Sequence, residues 1–148
     1  ISACLVGSEM CIRDSYAAYG SNLWHAQMQA RCPGATVAGT VMLPGWRLAL
    51  GRFALIEPDP DAAVPIGLWH VTAAHLDALD GFEGPHTYAR SRIALPGGGA
   101  AWIYHEIKRR PGPPAPEYVA RLRAGYADFG FEAAPLDRAI AASGFVGG

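Results

Sequence analysis

The stretch YAAYGSNLW, residues 16–24, changes character halfway along. Residues 16–19 are typical of a buried strand, and Leu23 opens a periodic apolar run that predicts a helix as far as residue 31, before Pro33. Between them lie Gly20, Ser21 and Asn22. A strand that leads through such a turn into a helix presents backbone N–H groups at the positive end of the helix dipole. This arrangement can hold a carboxylate or a developing oxyanion. An ordinary turn with a capping Asn is the plainer interpretation.

The rest of the chain predicts short strands and helices joined by many turns. Strands are predicted at 35–43, 46–51, 64–71, 87–95 and 100–107, with turns at 44–45 and 96–99 and a polar loop at 57–63. Helices are predicted at 73–80, 118–129 and 136–143. Five or more strands with hairpin spacing and only short helices favour an α+β domain, built on a small mixed β-barrel with short flanking helices.

The first 15 residues are predicted to be foreign to the domain. Residues 4–15, CLVGSEMCIRDS, read back into DNA as a string that resembles a transposon adapter used for sequencing libraries. Such segments are excluded from fold reasoning. The expected organisation is therefore an adapter-derived segment at 1–15 and one domain at 16–148.

The composition of the remaining chain limits its partners and its compartment. Excluding Arg13, Glu9 and Asp14 from the 12 basic and 13 acidic residues leaves equal numbers of each. A neutral chain gives no indication of binding to nucleic acid or to an anionic membrane, and no apolar run has the length of a membrane span. One cysteine remains, Cys32, which fits a reducing cytoplasm. We expect a cytoplasmic protein that is a monomer or a homodimer.

A second candidate stretch is HLDALDGFEGPHTYAR, residues 75–90. Gly81 stands where the C-terminus of a helix favours a left-handed residue, so Glu83 is expected just beyond the helix end, next to Phe82. Partial burial there would raise the pKa of the carboxyl group and suit it to proton transfer near neutral pH. The alternative is a solvated loop glutamate.

Two other chemistries have little support in the sequence. The turn lacks the second glycine of the G-x-S-x-G nucleophile motif, so a serine hydrolase based on Ser21 is disfavoured. The five histidines show no metal-ligand spacing. We therefore expect neither a metal site nor a cofactor.

Three blocks in order resemble the γ-glutamylcyclotransferases. They are YAAYGSNL at 16–23, VPIGLWHVTAAHLDALDGFEG at 64–84 and PAPEYVARLRAGYADFGF at 114–131. The resemblance implies a small β-barrel with flanking helices and a reaction that converts a γ-glutamyl amide into 5-oxoproline and a free amine. Gly125-Tyr126 and FGF depart from the family pattern on the expected amine side. These departures bear on the specificity for the leaving group.

The same resemblance implies roles for particular residues. Glu83 occupies the position of the catalytic acid/base, and no cofactor is required. The residues implied in substrate binding are Tyr19, Gly20, Ser21, Asn22, Leu23, Tyr88 and Tyr118. The implied partner is a small γ-glutamyl molecule whose leaving group stays open: an amino acid or dipeptide, an amine, or another metabolite. A non-catalytic binding domain of the same fold is the alternative.

Overall fold

The computed structural model describes residues 14–83, 88–106 and 112–146, which form one mixed sheet flanked by helices. The strands are β1 (Asp14–Ala18), β2 (Thr36–Leu50), β3 (Ala54–Val71), β4 (Tyr88–Ala94) and β5 (Ala100–Glu106). A 3₁₀ turn at Ser21–Leu23 precedes α1 (His25–Arg31), and the other helices are α2 (Ala73–Glu83), α3 (Pro116–Phe129) and α4 (Ala134–Ala142). No helix among these residues is long and apolar enough to cross a membrane.

The sheet has the strand order β2-β3-β1-β5-β4, with antiparallel pairs except for the parallel contact of β1 with β5. The α+β class with flanking helices is confirmed. Closure into a barrel is not, because β2 and β4 are edge strands among the described residues. Residues 1–13 of the predicted adapter segment lie outside the described part of the chain. Asp14 and Ser15 form the start of β1, opposite Val71 and His70.

The predicted hairpin around residues 96–99 is confirmed, with Tyr88 opposite Glu106 and Ala94 opposite Ala100. The predicted turn at Pro44-Gly45 is wrong. This dipeptide lies inside β2 at a shift of register, where Gly45 takes a φ of 86° that suits a β-bulge. The predicted loop at 57–63 is also wrong, because these residues belong to β3.

The core fixes the position of the turn that follows β1. Strand β1 is central and its last residues are buried on both faces. Leu23 is fully buried between two glycines, Gly67 of β3 and Gly125 of α3. A Cβ atom added at Gly125 would lie 2.5 Å from the Leu23 Cβ, and one added at Gly67 would lie 2.7 Å from the Leu23 Cδ2. The turn is thereby clamped between the sheet and α3.

Candidate active site

A cavity of about 300 Å³ opens where the 3₁₀ turn, α2, β4 and α3 meet. Most of the residues predicted to form the site line it: Tyr19, Gly20, Ser21, Asn22, Glu83, Tyr88 and Tyr118. Leu23 is the exception, since its side chain is buried in the core and anchors the turn from behind. The volume fits a small ligand.

Glu83 is the last residue of α2 and turns its carboxyl group into the cavity. The helix continues through Gly81, so the predicted left-handed end at that glycine is wrong. The Glu83 side chain is 18% exposed, and its Oε2 lies 3.8 Å from Nη1 of Arg31. Burial raises the pKa of Glu83 to about 7, against the opposing influence of the Arg31 charge. A carboxyl group with this pKa both accepts and returns protons near neutrality.

The 3₁₀ turn begins at the cavity, which Gly20, Ser21 and Asn22 line. The N–H groups of Leu23 and Trp24 bond to the carbonyl oxygens of Gly20 and Ser21, both at 3.0 Å. The first N–H groups of such a turn have no partner within it. The backbone N–H groups of Ser21 and Asn22 are therefore the candidate donors to a ligand oxygen.

Buried side chains hold the turn rigidly. Asn22 is 4% exposed; its Nδ2 donates to the Tyr16 hydroxyl at 2.9 Å, and its Oδ1 accepts from Gln27 at 3.0 Å. Gln27 Nε2 also donates to Ser21 Oγ at 2.7 Å. The indole N–H of Trp69 donates to the Asn22 carbonyl oxygen at 3.1 Å. The network fixes the N–H groups of the turn before any ligand arrives, as electrostatic stabilisation of an oxyanion requires.

Tyr19, Tyr88 and Tyr118 also line the cavity. The Tyr118 hydroxyl accepts from the Ala54 N–H at 3.0 Å, and the Tyr88 hydroxyl donates to the Ala54 carbonyl at 3.2 Å. Tyr19 donates to the Tyr104 carbonyl at 2.7 Å. Burial raises the pKa of Tyr118 to about 12 and that of Tyr19 above its ordinary value. These phenols therefore stay protonated at neutral pH and act as hydrogen-bonding groups.

The cavity also contains residues that the sequence analysis did not select: Tyr16, Arg31, Phe53, Ala54, Phe82 and Arg121. The sequence contained enough to predict Arg121 at the site, because Arg121 follows Tyr118 by three residues on a predicted helix and so shares its face. No sequence pattern predicted Arg31 at the site, since only the fold places the end of α1 against Glu83 and Phe82. The described residues contain no group of three His, Cys, Asp or Glu side chains that could hold a metal ion.

The family model described as "Gamma-glutamyl cyclotransferase, AIG2-like" matches residues 16–120. The chain belongs to this family. The match covers the turn, Glu83 and the three tyrosines Tyr19, Tyr88 and Tyr118, and it confirms the resemblance seen in the sequence. No curated protein matches the sequence of this family member.

Solved structures share the fold of this AIG2-like protein. A structure titled "Gamma-glutamyl cyclotransferase" has a TM-score of 0.76 at 22% identity, with 93% of each chain covered. The uncharacterised protein loc79017 from Homo sapiens has a TM-score of 0.75 at 22% identity, with 92% of each chain covered. An AIG2-like protein from Mus musculus has a TM-score of 0.51 at 20% identity, covering 72% of this chain and 82% of its own. At these identities the likeness concerns the fold alone.

Proposed function

We propose that the protein is a γ-glutamylcyclotransferase that releases 5-oxoproline and a free amine from a γ-glutamyl amide. The observation that carries the proposal is the placement of the buried Glu83 carboxyl, with its pKa of about 7, in the same cavity as the Gly20-Ser21-Asn22 turn. A carboxyl group that can transfer protons and the N–H groups proposed to bind an oxyanion thus lie at the same cavity.

The substrate supplies its own nucleophile in this reaction. Its α-amine attacks the γ-carbonyl carbon, a new C–N bond closes a five-membered ring, and the original amide C–N bond breaks. Much of the rate acceleration comes from holding the glutamyl chain bent, with the amine next to the carbonyl carbon. Well-oriented intramolecular reactions reach effective molarities of about 10⁵ M or more. A cavity of about 300 Å³ lined by rigid aromatic walls suits this task.

Glu83 carries protons between the two nitrogens. Its carboxylate takes a proton from the α-ammonium group, so that the free amine attacks. The carboxyl group then donates that proton to the departing amine as the tetrahedral intermediate collapses, and the carboxylate so formed takes the second proton from the ring nitrogen, which leaves as the neutral lactam. The N–H groups of Ser21 and Asn22 stabilise the oxyanion of that intermediate. Arg31, 3.8 Å from Glu83, is suited to the α-carboxylate on the same carbon as the attacking amine.

The proposal is tested by incubating the protein with γ-glutamyl amino acids, γ-glutamylamines and glutathione, and quantifying 5-oxoproline by mass spectrometry beside an enzyme-free control. We expect 5-oxoproline and free amine in equal amounts from at least one class. A folded protein that binds these compounds without product would instead be the binding domain considered as the alternative. Ser21 as a nucleophile has no observation in its favour, since no histidine is among the described residues that line the cavity.

The pH dependence gives a separate prediction. Glu83 must be ionised to accept a proton, and its pKa is about 7. We therefore expect kcat/KM to fall as the pH drops through about 7. Arg31 lowers the pKa of Glu83, so Arg31→Gln should move this acid limb to higher pH, in addition to lowering the rate.

The control for this measurement is Arg47→Gln. Arg47 pairs with Glu57 and Asp59 on the surface and does not line the cavity. The Arg47→Gln variant should keep the acid limb of the pH profile of kcat/KM at the same pH as the unmodified protein. An acid limb near pH 4.5 in the unmodified protein, or one that Arg31→Gln does not move, would contradict the assignment of the base.

A further inference from the structure

Among the described residues, two guanidinium groups line the cavity, and they differ in exposure to solvent. Arg31 lies beside Glu83, and its side chain is 20% exposed. Arg121 lies on α3, three residues after Tyr118, and its side chain is 35% exposed. Because residues three apart share one face of a helix, Arg121 lies beside Tyr118 in the lining of the cavity.

Arg121 retains hydrogen-bonding capacity for a ligand. Its Nη1 donates to Gln27 Oε1 at 2.9 Å, and its Nη2 pairs with the carboxylate of Glu117. A guanidinium group has five N–H donors, so these two bonds leave others available. The Glu117 side chain is 75% exposed, and a pair so open to solvent is weak. A ligand carboxylate can therefore share or displace Glu117.

A bridge of two carboxamides connects the two cations. Gln27 accepts from Arg121 and donates to Asn22 Oδ1, which also accepts from Arg31 Nη1 at 3.2 Å. The same Gln27 holds the Ser21 hydroxyl. The turn proposed to receive the γ-carbonyl thus lies on the bridge between Arg31, near Glu83, and Arg121 on α3.

A γ-glutamyl amino acid carries two carboxylates, one on each side of the amide bond that breaks. When the α-carboxylate of the glutamyl part lies near Arg31, a leaving amino acid that extends toward Arg121 carries the second carboxylate there. A γ-glutamylamine has no second carboxylate. We propose that Arg121 is a specificity-determining residue that binds the carboxylate of the leaving amino acid, so that the site favours γ-glutamyl amino acids over γ-glutamylamines. This inference rests on the proposed cyclotransferase function.

A matched pair of substrates tests it: γ-glutamyl-alanine and γ-glutamyl-alaninamide, which differ only in the terminal carboxylate. We expect the protein to turn over the acid with a kcat/KM about tenfold above that of the amide, as one charge-assisted hydrogen bond in a partly exposed site allows. Arg121→Gln should bring the ratio close to one. Arg121→Lys, which keeps the charge without the planar fork, should retain part of the preference.

The control variant is Arg123→Gln on the same helix. Arg123 is 51% exposed, pairs with Asp137 and does not line the cavity. It should leave the ratio unchanged. The preference should also weaken as salt is added, because the Arg121 charge is accessible to solvent.

Three results would overturn the inference while the proposed function stands. One is equal kcat/KM for acid and amide in the unmodified protein. Another is a preference that survives Arg121→Gln. The third is an equal loss for both substrates in that variant, which would mean that Arg121 acts only by positioning Gln27 and the turn. Absence of 5-oxoproline from either substrate, and from the wider panel, would overturn the proposed function and this inference together.

Discussion

Replacing Glu83 by Gln should lower 5-oxoproline formation by about a hundredfold to ten-thousandfold, the range typical for a lost general acid/base. Gln has nearly the same shape but cannot take the proton from the α-amine. The cavity and its turn depend on other contacts, so the variant should still bind the substrate. Steady-state assays by mass spectrometry measure this loss, and Glu132→Gln, at an exposed position, provides a matched control.

The same substitution should make the protein more stable at alkaline pH. The folded-state pKa of Glu83 is raised from 4.5 to about 7. The protonated carboxyl is thus favoured in the folded protein, and its stabilisation is complete below pH 4.5 and lost as the pH rises through about 7. Gln stays neutral throughout. Because each pKa unit corresponds to about 1.4 kcal/mol, and the group is partly exposed, we expect Glu83→Gln to gain about 2 kcal/mol at pH 8 and little at pH 4.5.

Urea unfolding of both proteins at the two pH values measures this difference. A variant with no activity and no gain in the free energy of unfolding at pH 8 would show that ionisation of Glu83 barely destabilises the folded protein. The pKa of Glu83 would then not be near 7. A variant that retains activity would exclude Glu83 as the proton carrier.

Gly125→Ala should lower the free energy of unfolding by about 2 kcal/mol. The new Cβ would lie 2.5 Å from the Leu23 Cβ and 2.8 Å from the Trp24 backbone nitrogen. Neither atom is the end of a flexible side chain, so the turn itself must move. Overpacking of this kind typically costs 1–3 kcal/mol, which exceeds the gain in helix propensity of about 1 kcal/mol. Because Leu23 anchors the turn, the variant should also have a higher KM.

Gly81→Ala is the matched control within another helix. Gly81 lies inside α2, and a Cβ added there meets no atom of the described part of the chain within 4 Å. This substitution should raise stability by about 0.5–1 kcal/mol, through helix propensity alone. Urea unfolding of the two variants side by side tests the account of the clamp. If Gly125→Ala were as stable as Gly81→Ala, the turn would not be held by close packing against α3.

Local chemistry made some of this architecture predictable. The Pro-Gly-Gly-Gly segment at 96–99 has the torsions of a hairpin turn built into its residues, and its strands were found as expected. The turn at residues 20–22 and Glu83 were selected because their residue types suit oxyanion binding and proton transfer and because they match the γ-glutamylcyclotransferase pattern, and their roles stay predictions. The structure places both on one cavity.

Tertiary context decided the elements that were predicted wrongly. Pro58 and Pro60 suggested a loop, but β1 pairs only with the last part of β3, from Gly67 to Val71. The earlier part of β3 pairs with β2 at residues 54–58 and again from Ala63, so Pro60 lies at the register shift between the two paired runs. A strand tolerates proline at such an irregularity, where no ladder hydrogen bond is lost. Gly81 suggested a helix end. The helix continues past it to Phe82 and Glu83, which contact Arg31 of α1.

No local sequence pattern predicts which charged residues surround Glu83. Arg31 and Glu83 lie far apart along the chain, and so do Arg121 and Gln27, so only the packing of α1, α2 and α3 brings each pair together. Arg31 lowers the pKa of the proposed base, and Arg121 is inferred to bind the carboxylate of the leaving amino acid. They are the residues to vary after Glu83.

The most direct test of the central claim is the identity of the nucleophile. Turnover of a γ-glutamyl substrate in H₂¹⁸O, followed by mass spectrometry, distinguishes ring closure from hydrolysis. We predict unlabelled 5-oxoproline and a free amine from the unmodified protein, with both lost in Glu83→Gln. Glutamate carrying ¹⁸O as the primary product would show that water attacks the γ-carbonyl, and it would contradict the cyclotransferase assignment.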